Sequence, residues 1–365
     1  MNSLPLNPAL ATLPVYLPGR PIDEVARELG LDPSGIIKLA SNENPLGPSP
    51  RALAAMQKLL PSLHLYPDGS AFHLKTRLAA NLGVRPEHLI LGNGSNEIIE
   101  FVGHALMRPG TEIVVSQYCF AIYPIVAKMM GASVITVPAK NHGHDLQAMR
   151  RAITPSTTVV FVANPNNPTG TLASTAEVLD LIANTPSNVL IAMDEAYVEF
   201  LDEPADLLSV VRAGTHPNLL LMRTFSKIHG LAGLRLGYGI GVPELIATLE
   251  RVRQPFNINS LAQAAAQAAL EDTDHVARTR ANNRAGLAWF EKELRSAGID
   301  YVPSAANFLL VKVGDGQRVF LELQKRGVIT RPMGGYQMPE FVRITVGSPA
   351  ENERCLKALR EILGR

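Results

Sequence analysis

Residues 157–170 read TTVVFVANPNNPTG, an uncharged run rich in valine that ends in a loop of asparagine, proline, threonine and glycine. The run reads as a strand buried on both faces. NVLIAMDEAY at 188–197 and NLLLMRTFSK at 218–227 repeat the arrangement, each an apolar run closing on polar or charged residues. HLIL (88–91), EIVVSQ (112–117) and SVITVP (133–138) are further strand candidates, and helical stretches such as TAEVLDLIANT (175–185) lie between them. Continuous apolar strands alternating with helices specify an α/β fold with a mainly parallel sheet, because parallel strands need crossovers and crossovers cover the faces.

Beyond Pro255 the pattern changes. The alanine-rich SLAQAAAQAALED (260–272) and the long HVARTRANNRAGLAWFEKELRSAG (275–298) read as helices, followed by strand FLLVKV, helix RVFLELQKRG, strand FVRITVG and a closing helix. This is the expected smaller α+β domain, over 256–365, beside a large domain over 46–255. The prolines of the first residues suggest an extended arm, placed at 1–45, since proline fixes its own φ and biases its predecessor away from helix.

Lys and Arg number 34 against 33 Asp and Glu, a formal charge of +1, which supplies no long-range field for nucleic acid or an anionic membrane. Two distant cysteines, Cys119 and Cys355, make neither a disulfide framework nor a zinc spacing, so a reducing, cytoplasmic setting is expected. No apolar run approaches the length of a membrane span, and the N-terminus lacks a signal-peptide pattern.

In an open parallel sheet, ligands bind beyond the carboxyl ends of the strands. Four loops should meet there: GNGSNE (92–97), NPNNPTG (164–170), DEAY (194–197) and TFSK (224–227). Asp194 follows an apolar run, and a buried carboxylate needs a partner. A helix cap or an ion pair would satisfy it; so would a ligand. Lys227 is either a solvated charge or a buried amine that loses its proton and forms a Schiff base with a carbonyl. A cofactor carrying a carbonyl, an aromatic nitrogen and a phosphate would engage all of these loops, and pyridoxal phosphate has that description. GNGSNE places Glu97 where a dinucleotide fingerprint needs its third glycine, which disfavours a nicotinamide cofactor. HGHD (142–145) lies in a turn with no second ligand cluster, and no metal is expected.

The ordered set NPNNPTG, DEAY, SK and GLRLGY resembles the aminotransferases of the aspartate aminotransferase superfamily. With SNENPLGPSP (41–50), YPDGS (66–70), TFSKIHGLAGLRLGYG (224–239) and FVRITVG (341–347), the chain is most similar to the histidinol-phosphate aminotransferases. The resemblance implies the fold of type I pyridoxal-phosphate enzymes, with a mainly parallel sheet of the seven-stranded type sandwiched by helices. It implies that Lys227 carries the cofactor and moves the substrate proton, Asp194 pairs with the pyridine nitrogen, and Asn167 and Tyr197 face the phenolic oxygen. Phe120, with Tyr118 as its rival, would stack on the ring. Gly94, Ser95, Asn96, Thr224, Ser226 and Arg235 would surround the phosphate, where a helix N-terminus favours an anion. Tyr66 would reach the phosphate of a partner subunit, which makes a homodimer the expected assembly. Arg343, Arg331, Tyr16 and Asn44 would contact the substrates, histidinol phosphate and glutamate or 2-oxoglutarate. An aromatic amino-acid aminotransferase would use the same catalytic groups, and a non-catalytic amino-acid sensor is the alternative of another class.

Overall fold

The computed structural model describes Pro8–Ala11, Leu13, Val15 and residues 18–365. Among these residues the strands form a seven-stranded sheet, a four-stranded sheet and a two-stranded pair. In spatial order the large sheet runs Leu89–Asn93, Leu236–Ile240, Leu219–Thr224, Leu190–Asp194, Thr157–Ala163, Glu112–Ser116 and Ser133–Val137. Leu236–Ile240 is antiparallel to both neighbours, and the remaining pairings are parallel. The sheet is therefore mixed, with one reversed strand.

Strand alternation divides the apolar side chains between two cores. Val160, Val162, Ile191, Met193, Leu219 and Leu221 enter one; Val159, Phe161, Leu190, Ala192, Leu220 and Met222 enter the other. Helices Phe72–Leu82 and Thr175–Asn184 contribute to the first core, and Ser95–Leu106, Ile122–Met129 and Pro243–Glu250 to the second. Both faces are thus covered, as continuous apolar strands require. Ser133–Val137 departs from the expectation of burial on both faces: Ser133 and Thr136 are exposed because this strand is a sheet edge.

Helix Ser260–Leu270 buries Ala262, Ala265, Ala266 and Ala269 in the first core, where it also meets Leu74 and Leu78. Alanine brings backbones close at little cost in side-chain entropy. The four-stranded antiparallel sheet, ordered Arg331–Pro332, Phe341–Thr345, Phe308–Lys312 and Tyr301–Val302, shares a separate core with helices Thr273–Ser296, Gly316–Lys325 and Pro349–Leu363.

Near the N-terminus, Pro8–Ala11 forms a 3-10 turn where the proline spacing suggested extended chain, and Ile22–Leu29 forms an α-helix. The helix buries Val25 and Ala26 beside Ile36 and Ile329 and closes on Gly30 in the left-handed region. Ile37–Lys38 then pairs in parallel with Val328–Ile329. Thr345 N–H donates to the Leu39 carbonyl at 2.9 Å, and Asn42 N–H donates to Thr345 Oγ1 at 2.9 Å. These bonds fasten residues 39–42 to the C-terminal sheet and carry the next few residues to the rim of the large one.

Candidate active site

The ends of the parallel strands open into a cavity of about 380 Å³. Ser95, Asn96, Phe120, Asn167, Asp194, Tyr197, Thr224, Ser226, Lys227 and Arg235 all line it, so the loops read from the sequence do converge. Ser41 and Glu43 line it too. Gly94 stands just behind, as the N-cap of helix Ser95–Leu106, with no side chain capping that helix end. The first N–H groups of the helix are therefore available to an anion.

Glycine makes the approach of backbone to this helix end possible. A Cβ on Gly237 would lie 2.2 Å from the Ser95 nitrogen, and one on Gly94 would lie 2.4 Å from Arg235 Nη2. The strand after Arg235 thus runs against the helix start, and the guanidinium lies over Gly94. Arg235 itself has φ of 56° and donates from Nη1 to the Ala232 carbonyl at 3.0 Å.

Asp194, buried at the end of its strand, accepts from Tyr123 Oη at 2.6 Å through Oδ2 and from Ala196 N–H at 3.1 Å through Oδ1. Burial pushes its carboxyl above the usual carboxylate range; the two donors and the Lys227 charge act the other way. Lys227 Nζ donates to the Ser41 carbonyl at 3.0 Å. Burial, then the nearby Arg343 charge, depress this amine to about 8. Tyr197 Oη accepts from Asn42 Nδ2 at 2.9 Å, and burial pushes its phenol above the ordinary range. Asn167 Oδ1 accepts from Arg343 Nη1 at 2.5 Å, while Arg343 Nη2 donates to the Ala40 carbonyl at 2.8 Å. Thr224 Oγ1 accepts from Ser226 N–H at 3.1 Å and donates to the Leu236 carbonyl at 3.3 Å, which ties the turn before Lys227 to the reversed strand.

Phe120 rather than Tyr118 faces the cavity; Tyr118 stacks with His142 at 6.1 Å. Asn44 is not brought to the cavity lining. Its Nδ2 donates to the Ile228 carbonyl and to Thr279 Oγ1 at 2.9 and 3.1 Å, and its Oδ1 accepts from Leu46 N–H, so it clamps the loop instead. Arg331 and Arg343, opposite each other in the antiparallel register, also lie outside the lining, and Arg343 reaches it through its bond to Asn167. Tyr66 is 83% exposed and stacks on Phe256 at 4.9 Å, away from this chain's cavity. Tyr16 lies outside the described residues. In HGHD, His144 Nε2 bonds the Ala163 carbonyl at 2.9 Å and Asp145 caps the following helix. Among the described residues no group of three His, Cys, Asp or Glu side chains could hold a metal ion.

Tyr123, Asn42, Ser41 and Glu43 escaped the sequence reading of individual residues. SNEN was visible as a motif, but Tyr123 sits in IYPIVAKM, whose pattern is that of a core helix.

A doubly covered sheet thus carries a lysine, a buried aspartate and an uncapped helix end at one rim. The chain belongs to the class I and II aminotransferases, whose family model matches residues 34–359. It is 48% identical over 358 residues to a histidinol-phosphate aminotransferase of Akkermansia muciniphila, covering 98% of both chains. It is 50% identical over 361 residues to histidinol-phosphate aminotransferase 2 of Pseudomonas fluorescens, covering 98% of this chain and 97% of that one. Among solved structures, the histidinol-phosphate aminotransferase of Sinorhizobium meliloti in complex with pyridoxal-5'-phosphate superposes with a TM-score of 0.90. That match has 25% identity and covers 100% of this chain and 99% of the other. No helix among the described residues is long and apolar enough to cross a membrane.

Proposed function

We propose that this chain is a pyridoxal-phosphate-dependent histidinol-phosphate aminotransferase. It exchanges an amino group between L-histidinol phosphate and 2-oxoglutarate, giving 3-(imidazol-4-yl)-2-oxopropyl phosphate and L-glutamate in histidine biosynthesis. The observation that carries the reading is one cavity lined by an amine of depressed pKa, a buried carboxylate and an uncapped helix end beside a guanidinium. The choice of substrate rests on near-full-length likeness to the Akkermansia and Pseudomonas enzymes.

The donor set fits the cofactor. Ser95 and Asn96 N–H, the Ser226 hydroxyl and Arg235 suit a phosphate, and a Cβ at Gly94 or Gly237 would collide with Arg235 or with the Ser95 backbone and displace these donors. Phe120 offers an aromatic face, Tyr197 a hydroxyl and Asn167 an amide NH2 toward the ring. Asp194 offers a buried carboxylate that would keep a pyridine nitrogen protonated. When bound, pyridoxal phosphate supplies a carbonyl for the amine and a ring that accepts electrons from the substrate Cα. Lys227 Nζ, neutral above about pH 8, takes the proton from Cα and later returns it. Arg343 binds phosphate in one half-reaction and carboxylate in the other, since its planar fork matches either anion.

The reading extends to organisation. Residues 46–255 serve as the cofactor-binding domain, 256–365 as the smaller domain and 1–45 as an arm, and the enzyme works in the cytoplasm as a homodimer. Tyr66, exposed beside Phe256, reaches the partner subunit's phosphate site.

Comparing kcat/KM for histidinol phosphate with that for histidinol, phenylalanine and tyrosine tests the substrate. A preference of several hundredfold for the phosphorylated compound is expected. Equal values with and without the phosphate would overturn it, and preference for phenylalanine or tyrosine would identify an aromatic amino-acid aminotransferase. Borohydride reduction followed by peptide mass analysis should find the cofactor on Lys227; a mass on another lysine would overturn that assignment.

A further inference from the structure

Tyr123 is fully buried in helix Ile122–Met129, within the apolar run IYPIVAKM. A tyrosine in such a place must find a partner for its hydroxyl. The partner is Asp194 Oδ2, at 2.6 Å. Packing aims the bond: the Tyr123 ring stacks on Phe161 at 4.5 Å and 7°, and meets Phe120 edge-on at 5.7 Å and 79°. Phe161 belongs to the strand beside that of Asp194, so the ring and the carboxylate hang from one rigid frame.

The second carboxylate oxygen is held by Ala196 N–H, which leaves neither oxygen to rotate freely. Asp194 lines the cavity and Tyr123 does not. Any influence of Tyr123 on a bound ligand therefore passes through Asp194 or through the packing of Phe120. Burial works against a charged Asp194, and loss of a donor leaves that cost less opposed.

We propose that Tyr123 is a positioning residue, holding the Asp194 carboxylate aimed at the ring nitrogen of bound pyridoxal phosphate. The inference rests on the cofactor reading above. It separates Tyr123 from an ordinary core aromatic, which would support every ligand of the cavity alike.

The test uses cofactor-free protein titrated by calorimetry with pyridoxal phosphate and with 1-deazapyridoxal phosphate, in which carbon replaces the ring nitrogen. Tyr123→Phe keeps the ring stack and removes only the donor. It should bind pyridoxal phosphate about tenfold more weakly than the wild type, with the deaza analogue changed by less than about twofold. In an Asp194→Asn background, the same substitution should cost nothing further. Incorporating 4-aminophenylalanine at position 123 restores a donor and should recover most of the loss. If Tyr123→Phe does not fold, 4-fluorophenylalanine at position 123, which fills the hydroxyl's place without a donor, reads the same difference between the two ligands. Equal loss on both ligands, or no loss on either, would overturn the inference while leaving the cofactor reading intact. A wild type that binds pyridoxal phosphate no better than its deaza analogue would overturn the Asp194 assignment and the inference together.

Discussion

Arg343 donates to the Asn167 side-chain oxygen at 2.5 Å across 176 residues of sequence, joining the C-terminal sheet to the loop that leaves the large one. The pair brings a guanidinium into the surroundings of Lys227, where its charge is the strongest influence on the amine after burial. The residue suited to a substrate anion therefore also tunes the residue suited to moving a proton.

The Lys227 amine should accordingly titrate with a midpoint near pH 8 in cofactor-free protein, well below the ordinary 10.5. The rate at which it reacts with pyridoxal phosphate should rise through that pH, and Arg343→Gln should move the midpoint upward. A wild-type midpoint at 10 or above would contradict the burial argument. The sign for stability follows by linkage. Between about pH 8 and 10.5 the unfolded chain holds a proton that the folded chain lacks, so this residue's contribution to stability increases with pH across that window. Lys227→Met should flatten that rise in denaturation measurements made from pH 7.5 to 10.

Gly237 and Gly233 make a matched pair of tests in one short stretch. Alanine at 237 would drive its Cβ to 2.2 Å from the Ser95 nitrogen, whereas at 233 no heavy atom lies within 4 Å of the added carbon. Gly237→Ala should cost about 1–3 kcal/mol of stability, the usual range for overpacking, and weaken phosphate-bearing ligands by displacing the helix start. Gly233→Ala should stay within about 0.5 kcal/mol of the wild type. Thermal denaturation of the two variants side by side checks this; equal effects would remove the close approach as the cause.

Much of this arrangement was legible because strand ends carry chemistry. Asp194, Asn167 and Lys227 each follow an apolar run, and the parallel sheet brings those ends to one rim. What escaped was whatever depends on contact between distant segments. Asn42 reaches Tyr197 across 155 residues, and Ser41 reaches Lys227 across 186, because the chain near residue 40 is fastened to strand Phe341–Thr345. No local periodicity encodes that fastening. Tyr123 was hidden for a different reason, since an aromatic among Ile, Val and Ala satisfies a core pattern whether or not its hydroxyl has a task. Asn44, visible in the same motif, turns its amide to two other distant segments, the Ile228 carbonyl and Thr279 Oγ1, across 184 and 235 residues.

The buried pair next to Asp194 sets a stability prediction. Arg223 Nε meets Glu195 Oε2 at 2.8 Å, and the two side chains are 12% and 4% exposed. Burial also pushes the neighbouring Glu199 carboxyl up to about 7, with the Arg223 charge opposing. Removing the guanidinium leaves a buried carboxylate without its counter-charge, which typically costs about 3–5 kcal/mol. Arg223→Met should therefore lower the melting temperature strongly at pH 8, and by less at pH 5, where protonation relieves the orphaned acids. A loss independent of pH would mean that packing, not charge, is what Arg223 supplies.

Tyr66 permits a test of the shared site that needs no structure of the dimer. Its side chain is 83% exposed in the single chain and its stack on Phe256 is its main contact there, so Tyr66→Ala should cost an isolated subunit no more than about 1.5 kcal/mol. If Tyr66 completes the partner's phosphate site, Tyr66→Ala should nonetheless weaken cofactor retention. Mixing it with Lys227→Ala should then restore activity, because one site of each mixed dimer combines an intact lysine with an intact tyrosine. Random pairing of equal amounts makes half the dimers mixed, each with one competent site of two, so recovery should approach about one quarter of the wild-type rate. Sedimentation of the mixture shows whether dimers form at all. Dimers with no recovered activity would place Tyr66 outside the partner's site, and a monomeric active enzyme would refute the shared arrangement.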